Sequence, residues 1–360
     1  MEAADFTRRE FLAGAVVAAA GVATGVGAAR ADTSPIADDH PKPRNYNENM
    51  EYRRLGKTGM MISAVCMGGH WKRIGSMGGP GWDRLTGDTT EFDKNRYDVI
   101  SRCIDVGINY VDACSSGEIL TYAKALKGRR ESMYLGFSWY EHEPRFTEYR
   151  TTEALVKGFD DGLKQSGLDY VDVWRLTALM PGSEHTDADV DHMVEAFTKI
   201  HEQGKARFMG ISSHDREWLR KVITHWPRVD VVLTPFTASS KVKPTDSLFD
   251  AAKKADVGIF GIKPFSSGSL FKDGAGAGGR FTEGDDELAR LALRYILATE
   301  AVTAPIPGLI STHQVDNVAR AVKERRTLDS AEAQRLGTAA AEAMASLPPD
   351  YHWLRDHEWV

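Results

Sequence analysis

Cysteine is scarce. Only Cys66, Cys103 and Cys114 occur in 360 residues, and none stands at CxxC spacing. That excludes a thiolate zinc or iron–sulfur centre, and an odd count excludes a fully paired disulfide framework. No basic run stands out either: 45 Lys and Arg face 51 Asp and Glu, for a net charge of −6 and a pI near 6.0. A nucleic-acid partner needs a clustered basic face, so none is expected. Repeats and low-complexity tracts are also missing. What remains, 42% hydrophobic and 27% charged residues, is an ordinary globular composition with enough chain for one large core.

Residues 1–31 read as an address. Thr7-Arg8-Arg9-Glu10-Phe11-Leu12 places two arginines before a weakly apolar Ala/Gly/Val stretch, Ala13 to Ala29, which runs into Ala29-Arg30-Ala31, a small-x-small cleavage site. The stretch falls short of the roughly 20 residues that span a bilayer. It resembles a bacterial twin-arginine signal. The expectations are export in the folded state by the twin-arginine machinery, cleavage before Asp32, a periplasmic location and no stable membrane anchor afterwards. Residues 32–49, rich in Pro, Asp and Asn, read as a polar leader, and 50–360 as a single domain.

After a hairpin around Gly56-Lys57-Thr58-Gly59, short apolar runs alternate with amphipathic stretches. The runs are Ala64–Met67, Ile108–Asp112, Met133–Phe137, Tyr170–Leu176, Ala206–Ile211, Val229–Thr234, Gly258–Ile262 and Thr303–Ile306; helical patterns cover 91–106, 118–127, 151–166, 187–203, 214–225, 245–255, 285–299 and 311–324. Gly107 suits the left-handed end of the first helix. Eight alternations predict an α/β fold, a (β/α)8 TIM barrel, followed by a helix at 330–346 and an aromatic tail.

Six segments in register resemble the aldo/keto reductase superfamily: Glu51–Gly59, Gly107–Ala113, Ala125–Arg130, Leu168–Asp172, Gly210–Ser213 and Ile306–Gly308. The resemblance implies the barrel, NADP or NAD bound in an extended pose at its C-terminal face, and a small-molecule carbonyl substrate. It also implies four catalytic positions: an aspartate, a tyrosine acid, a lysine and a histidine. Asp112 fills the first. The loop Ala113-Cys114-Ser115-Ser116-Gly117-Glu118 holds no tyrosine, and Ser138 and Thr177 stand at the lysine and histidine positions. The carboxamide pair reads Ser212-Ser213, Leu233 stands at the family's glutamine, and Ile262 stands at its stacking tyrosine. Lys263, Phe265 and Ser267 then fall in a loop suited to a pyrophosphate, and Ser311, Gln314 and Asn317 in an adenosine site at a helix N-terminus.

Strand ends of a barrel converge, so Asp112, His70, Ser138 and Thr177 are expected to line one pocket, with Trp71, Trp82, Trp139 and Trp174 near its mouth. His70 is the first candidate for the missing proton donor, since an imidazole donates and accepts near neutrality. Tryptophan faces suit a carbohydrate. Because side chains alternate along a strand, Val173, Arg175 and Thr177 should all point inward. An inward arginine needs a counter-charge, so Arg175 is expected to pair with Asp112 and keep it ionised. Glu141-His142-Glu143 reads as a solvated loop; no metal site is read, there or elsewhere.

Two functions follow. One is an exported, NAD(P)-dependent oxidoreductase acting on a carbonyl or sugar-like substrate through a non-standard acid–base group. The other is a catalytically divergent barrel that binds a carbohydrate or other ligand, or that works as a nicotinamide-independent lyase or hydrolase.

Overall fold

A computed structural model describes residues 42–69, 89–180, 182–271 and 282–354. His70, Trp71 and Trp82, singled out in the sequence, lie outside the described residues, as do the export segment and the end of the aromatic tail. Two short strands, β1 (Tyr52–Arg54) and β2 (Met61–Ser63), form the antiparallel hairpin. Seven parallel strands follow in spatial order: β3 (Tyr110–Ala113), β4 (Tyr134–Phe137), β5 (Val171–Thr177), β6 (Ala206–Ser212), β7 (Val231–Pro235), β8 (Gly258–Ile262) and β9 (Ala304–Ile306).

The first predicted strand closes the ring as a minimal stave rather than a regular strand. Met67 bridges to Val111 and Gly68 to Gly308, with backbone bonds from Cys66 to Pro305 and from Gly68 to Pro307. The helices between strands sit outside, and the eight-stave barrel predicted from the alternation is the architecture found.

Period-two alternation sorts the side chains. Inside the barrel, Tyr110, Tyr134, Val173, Phe208, Leu233 and Phe260 pack with Leu55, Met60 and Ile62, which the hairpin inserts as a plug. Outside, residues such as Phe137, Trp139 and Trp174 pack under the helices, Trp174 against Phe159 at 4.5 Å. Trp139 and Trp174, 3% and 1% exposed, therefore fill the layer between sheet and helices and do not rim the mouth. Gly107, at φ +86°, is left-handed at the end of the helix Thr90–Asp105.

The end of the polar leader docks at the opposite, N-terminal end of the barrel. Arg44, Arg130 and Arg207 reach the buried Asp172 at 3.3, 2.7 and 2.9 Å. Asn45 and Asn47 donate to Ile104 O and Asp105 O. Despite the burial that opposes it, the three guanidiniums hold the Asp172 carboxyl far below the usual range.

Candidate functional site

At the C-terminal strand ends lies a cleft of about 800 Å³. It runs from Asp112, Arg175 and Ser212 past Lys263 and Ser267 to Gln314 and Asn317. The inward register predicted for β5 is the one found. Arg175 is 3% exposed, with its Nε 3.4 Å from Asp112 Oδ1. Neighbouring strands make room for it: β4 offers Gly136 beside Asp112, and β6 offers Gly210 beside Arg175. A Cβ on Gly136 would lie 2.7 Å from Asp112 Oδ1, and one on Gly210 would lie 3.2 Å from Arg175 Cβ. The pair is an ion pair without hydrogen-bond alignment. Arg175 Nε and Nη1 and Asp112 Oδ1 all lack a hydrogen-bond partner in the protein.

Burial raises the Asp112 carboxyl to about 6, with Arg175 opposing and Glu118 adding to the rise. The guanidinium thus offsets burial only in part. Asp112 sits within reach of protonation near neutrality instead of being held firmly ionised, as the sequence had suggested. Glu118 is itself buried and accepts from Cys114 N at 2.7 Å. The Cys114 thiol, pushed well up by burial and by Glu118, is poorly suited to nucleophilic chemistry.

Ser138 does not face the cleft. It is fully buried, its hydroxyl 2.9 Å from that of Thr177 and donating to Glu143 Oε2 at 2.5 Å. Glu143, read in the sequence as solvated, is 1% exposed. Its carboxylate also accepts from Trp139 N, Trp174 Nε1 and Thr177 N. Four donors satisfy it, although burial still raises its pKa. A run of polar residues hides such a group, because its donors come from β5 and from the end of β4. Glu141 instead accepts from Ser116 N and Oγ at the start of the helix Ser116–Ala125.

The remaining predicted residues divide. Ser212 lines the cleft, whereas Ser213 is buried and donates to Leu179 O. Lys263, Ser266, Ser267 and Gly268 have φ of +56°, +50°, +58° and +89°, a left-handed run bordering the cleft. Such turns present backbone N–H groups to anions. Ser311 caps the helix Thr312–Lys323 by accepting from Gln314 N, and Gln314 Oε1 accepts from Ile310 N. Asn317 lines the cleft, but Arg290 donates to its Oδ1 and its Nδ2 donates to Asp286 O. The tail contributes a residue that the pattern left open: Trp353 stacks on His214 at 3.7 Å, with Lys263 Nζ 5.6 Å from its ring.

A dinucleotide fits this arrangement. The cleft is continuous from the strand ends to the N-terminus of the helix Thr312–Lys323, its middle is a left-handed loop, and its outer end is lined by Gln314 and Asn317. Among the described residues no group of three or more His, Cys, Asp or Glu is placed to hold a metal, and no helix is long and apolar enough to cross a membrane.

Comparison with known proteins agrees with this geometry. A model described as the aldo/keto reductase family matches residues 79–284. L-galactose dehydrogenase of Arabidopsis thaliana is 24% identical over 301 residues, covering 78% of this chain and 90% of that protein. A putative voltage-gated potassium channel subunit beta of Schizosaccharomyces pombe is 30% identical over 200 residues, 52% of this chain and 50% of that protein. The holo form of aldo-keto reductase AKR11C1 from Bacillus halodurans superposes with a TM-score of 0.58 at 21% identity, covering 81% of this chain and 96% of that one.

Proposed function

This chain belongs to the aldo/keto reductase family, and from that premise we propose that it is an exported, nicotinamide-dependent oxidoreductase acting on a carbonyl or sugar-like substrate through Arg175 and Asp112. The observation that carries this reading is the Arg175 guanidinium. It is buried at the strand ends, lines the cleft, and two of its nitrogens, Nε and Nη1, have no protein acceptor. An unpaired buried donor is costly, so its place in the site is to meet a substrate oxygen.

The dinucleotide, when bound, supplies or accepts the hydride. Ser212, Lys263 and Ser267 would hold it along the cleft, with its outer part toward Gln314 and Asn317. The protein's own share is electrostatic and protonic. Arg175 donates to the substrate oxygen where negative charge develops, the kind of preorganised stabilisation that is typically worth about 3 kcal/mol per donor. Asp112, raised to about 6, exchanges a proton with the same oxygen near neutral pH. Those two steps do the work that the absent tyrosine would do. Aromatic faces from Tyr140, Phe146, Tyr351 and Trp353 border the cleft and suit the apolar faces of a sugar ring. The name of the Arabidopsis relative, a dehydrogenase of L-galactose, supports a sugar-like substrate.

Calorimetric titration with NADH and NADPH tests the reading. Saturable binding of either is expected. No binding of either up to millimolar concentration would leave a ligand-binding barrel, or a lyase or hydrolase, as the function.

A further inference from the structure

The cleft wall carries a hydroxyl whose proton is already committed. Thr177 is 4% exposed and lines the cleft two residues after Arg175, on the same inward face of β5. Its hydroxyl meets that of Ser138 at 2.9 Å, and the Ser138 hydroxyl meets Glu143 Oε2 at 2.5 Å.

Direction along this chain is fixed from its buried end. Trp139 N and Trp174 Nε1 donate to Glu143 Oε1, and Thr177 N joins Ser138 in donating to Oε2. An ionised carboxylate, which only accepts, serves all four donors, while a hydroxyl has one proton to give. Ser138 gives its proton to Glu143, so it accepts from Thr177. Thr177 gives its proton to Ser138, so it offers the cleft only lone pairs. Arg175 is the reverse, a guanidinium that only donates. The wall therefore presents a donor and an acceptor from neighbouring inward positions of one strand.

We propose that Thr177 is a specificity-determining residue, accepting from a hydroxyl beside the carbonyl that Arg175 holds, and that Ser138 and Glu143 are positioning residues that fix its polarity. The inference rests on the carbonyl reading above and narrows it. The substrate class is hydroxyaldehydes and hydroxyketones, open-chain sugars among them. A simple aldehyde or ketone leaves the Thr177 lone pair unmet when it fills the cleft. Discrimination of this kind is large, because the penalty falls on a buried polar group of the protein.

Two ketones that differ by that hydroxyl, 3-hydroxybutan-2-one and butan-2-one, test the assignment. Their dissociation constants are read by ligand-observed NMR on the mature protein, alone and with saturating NADH or NADPH. The hydroxyketone is expected to bind at least about tenfold more tightly. Thr177→Val should bring the ratio close to one, and Thr177→Ser should keep it near the parent value; Thr177→Ala replaces the valine variant if that one does not fold. Glu143→Gln leaves the Thr177 hydroxyl in place but supplies an amide N–H that Ser138 can accept, which turns the chain round. It should lose the preference too, an effect that a purely structural Glu143 would not produce. Equal binding of the two ketones by the parent protein, or binding of neither in any state, overturns the proposal. So does a preference that survives Thr177→Val, which would give the hydroxyl to Asp112, or one that survives Glu143→Gln. If the preference and both losses are found but no hydride passes from the cofactor to either ketone, the Thr177 assignment stands and the oxidoreductase reading falls.

Discussion

The hydroxyls of Ser138 and Thr177 stand 2.9 Å apart, and the Ser138 hydroxyl and the Thr177 backbone N–H both donate to Glu143 Oε2. Family resemblance places a lysine and a histidine at those two strand ends, and here two small hydroxyl residues admit a buried acid from the following loop. The arrangement is internally satisfied; Thr177 borders the cleft as the sequence predicts, while Ser138 and Glu143 lie behind it. It leaves the Asp112–Arg175 pair as the charged centre of the strand ends.

Removing Glu143 strands four donors in a dry layer. Glu143→Ala should cost about 3–5 kcal/mol in urea unfolding, and Glu143→Gln, which keeps an acceptor and the shape, distinctly less. A loss below about 1 kcal/mol for the alanine variant would contradict the assigned packing.

Asp112 should titrate near pH 6 in the folded protein, followed by carbon-13 NMR of its carboxyl. The folded value lies above the unfolded 3.8. Its proton therefore favours the folded state in full below about pH 4, and that contribution is lost as pH rises through about 6. Arg175→Leu removes the opposing guanidinium and should move the midpoint upward. An unchanged midpoint would show that the two charges are uncoupled.

The Asp172 cluster makes the opposite pH prediction. Its depressed pKa means that the stability it lends is present above the unfolded carboxyl value and lost as pH falls below it. Asp172→Asn should cost about 3–5 kcal/mol at pH 7, since it leaves buried guanidiniums unpaired. The deficit should shrink in acid. Arg44→Ala should cost less, because Arg130 and Arg207 remain at 2.7 and 2.9 Å.

Export is tested by N-terminal sequencing of protein from the periplasmic fraction. The expected first residue is Asp32, and Arg8→Lys with Arg9→Lys should stop export without altering the folded protein. Full-length chain with Met1, retained in the membrane, would contradict it.

Strand and helix positions were legible because period-two runs and capped amphipathic stretches alternate eight times, and even the inward turn of Arg175 followed from alternation along β5. Other features depend on distant partners. Trp139 and Trp174 looked like rim residues, yet the same alternation sends them outward under the helix Thr152–Ser166, where Phe159 waits. Glu143 looked like solvated loop because local polarity cannot show that β5 supplies its donors.

The central claim is that Arg175 and Asp112 serve hydride chemistry in this cleft. The protein is incubated with a nicotinamide cofactor deuterated at the transferring carbon and with a panel of simple aldehydes, aldoses and keto sugars, and the products are read by mass spectrometry. Deuterium should appear at the new alcohol carbon, and Arg175→Leu, still binding the cofactor, should slow its appearance by about a hundredfold or more. Cofactor binding with no deuterium in any product, or an Arg175→Leu variant that transfers at the parent rate, would contradict it.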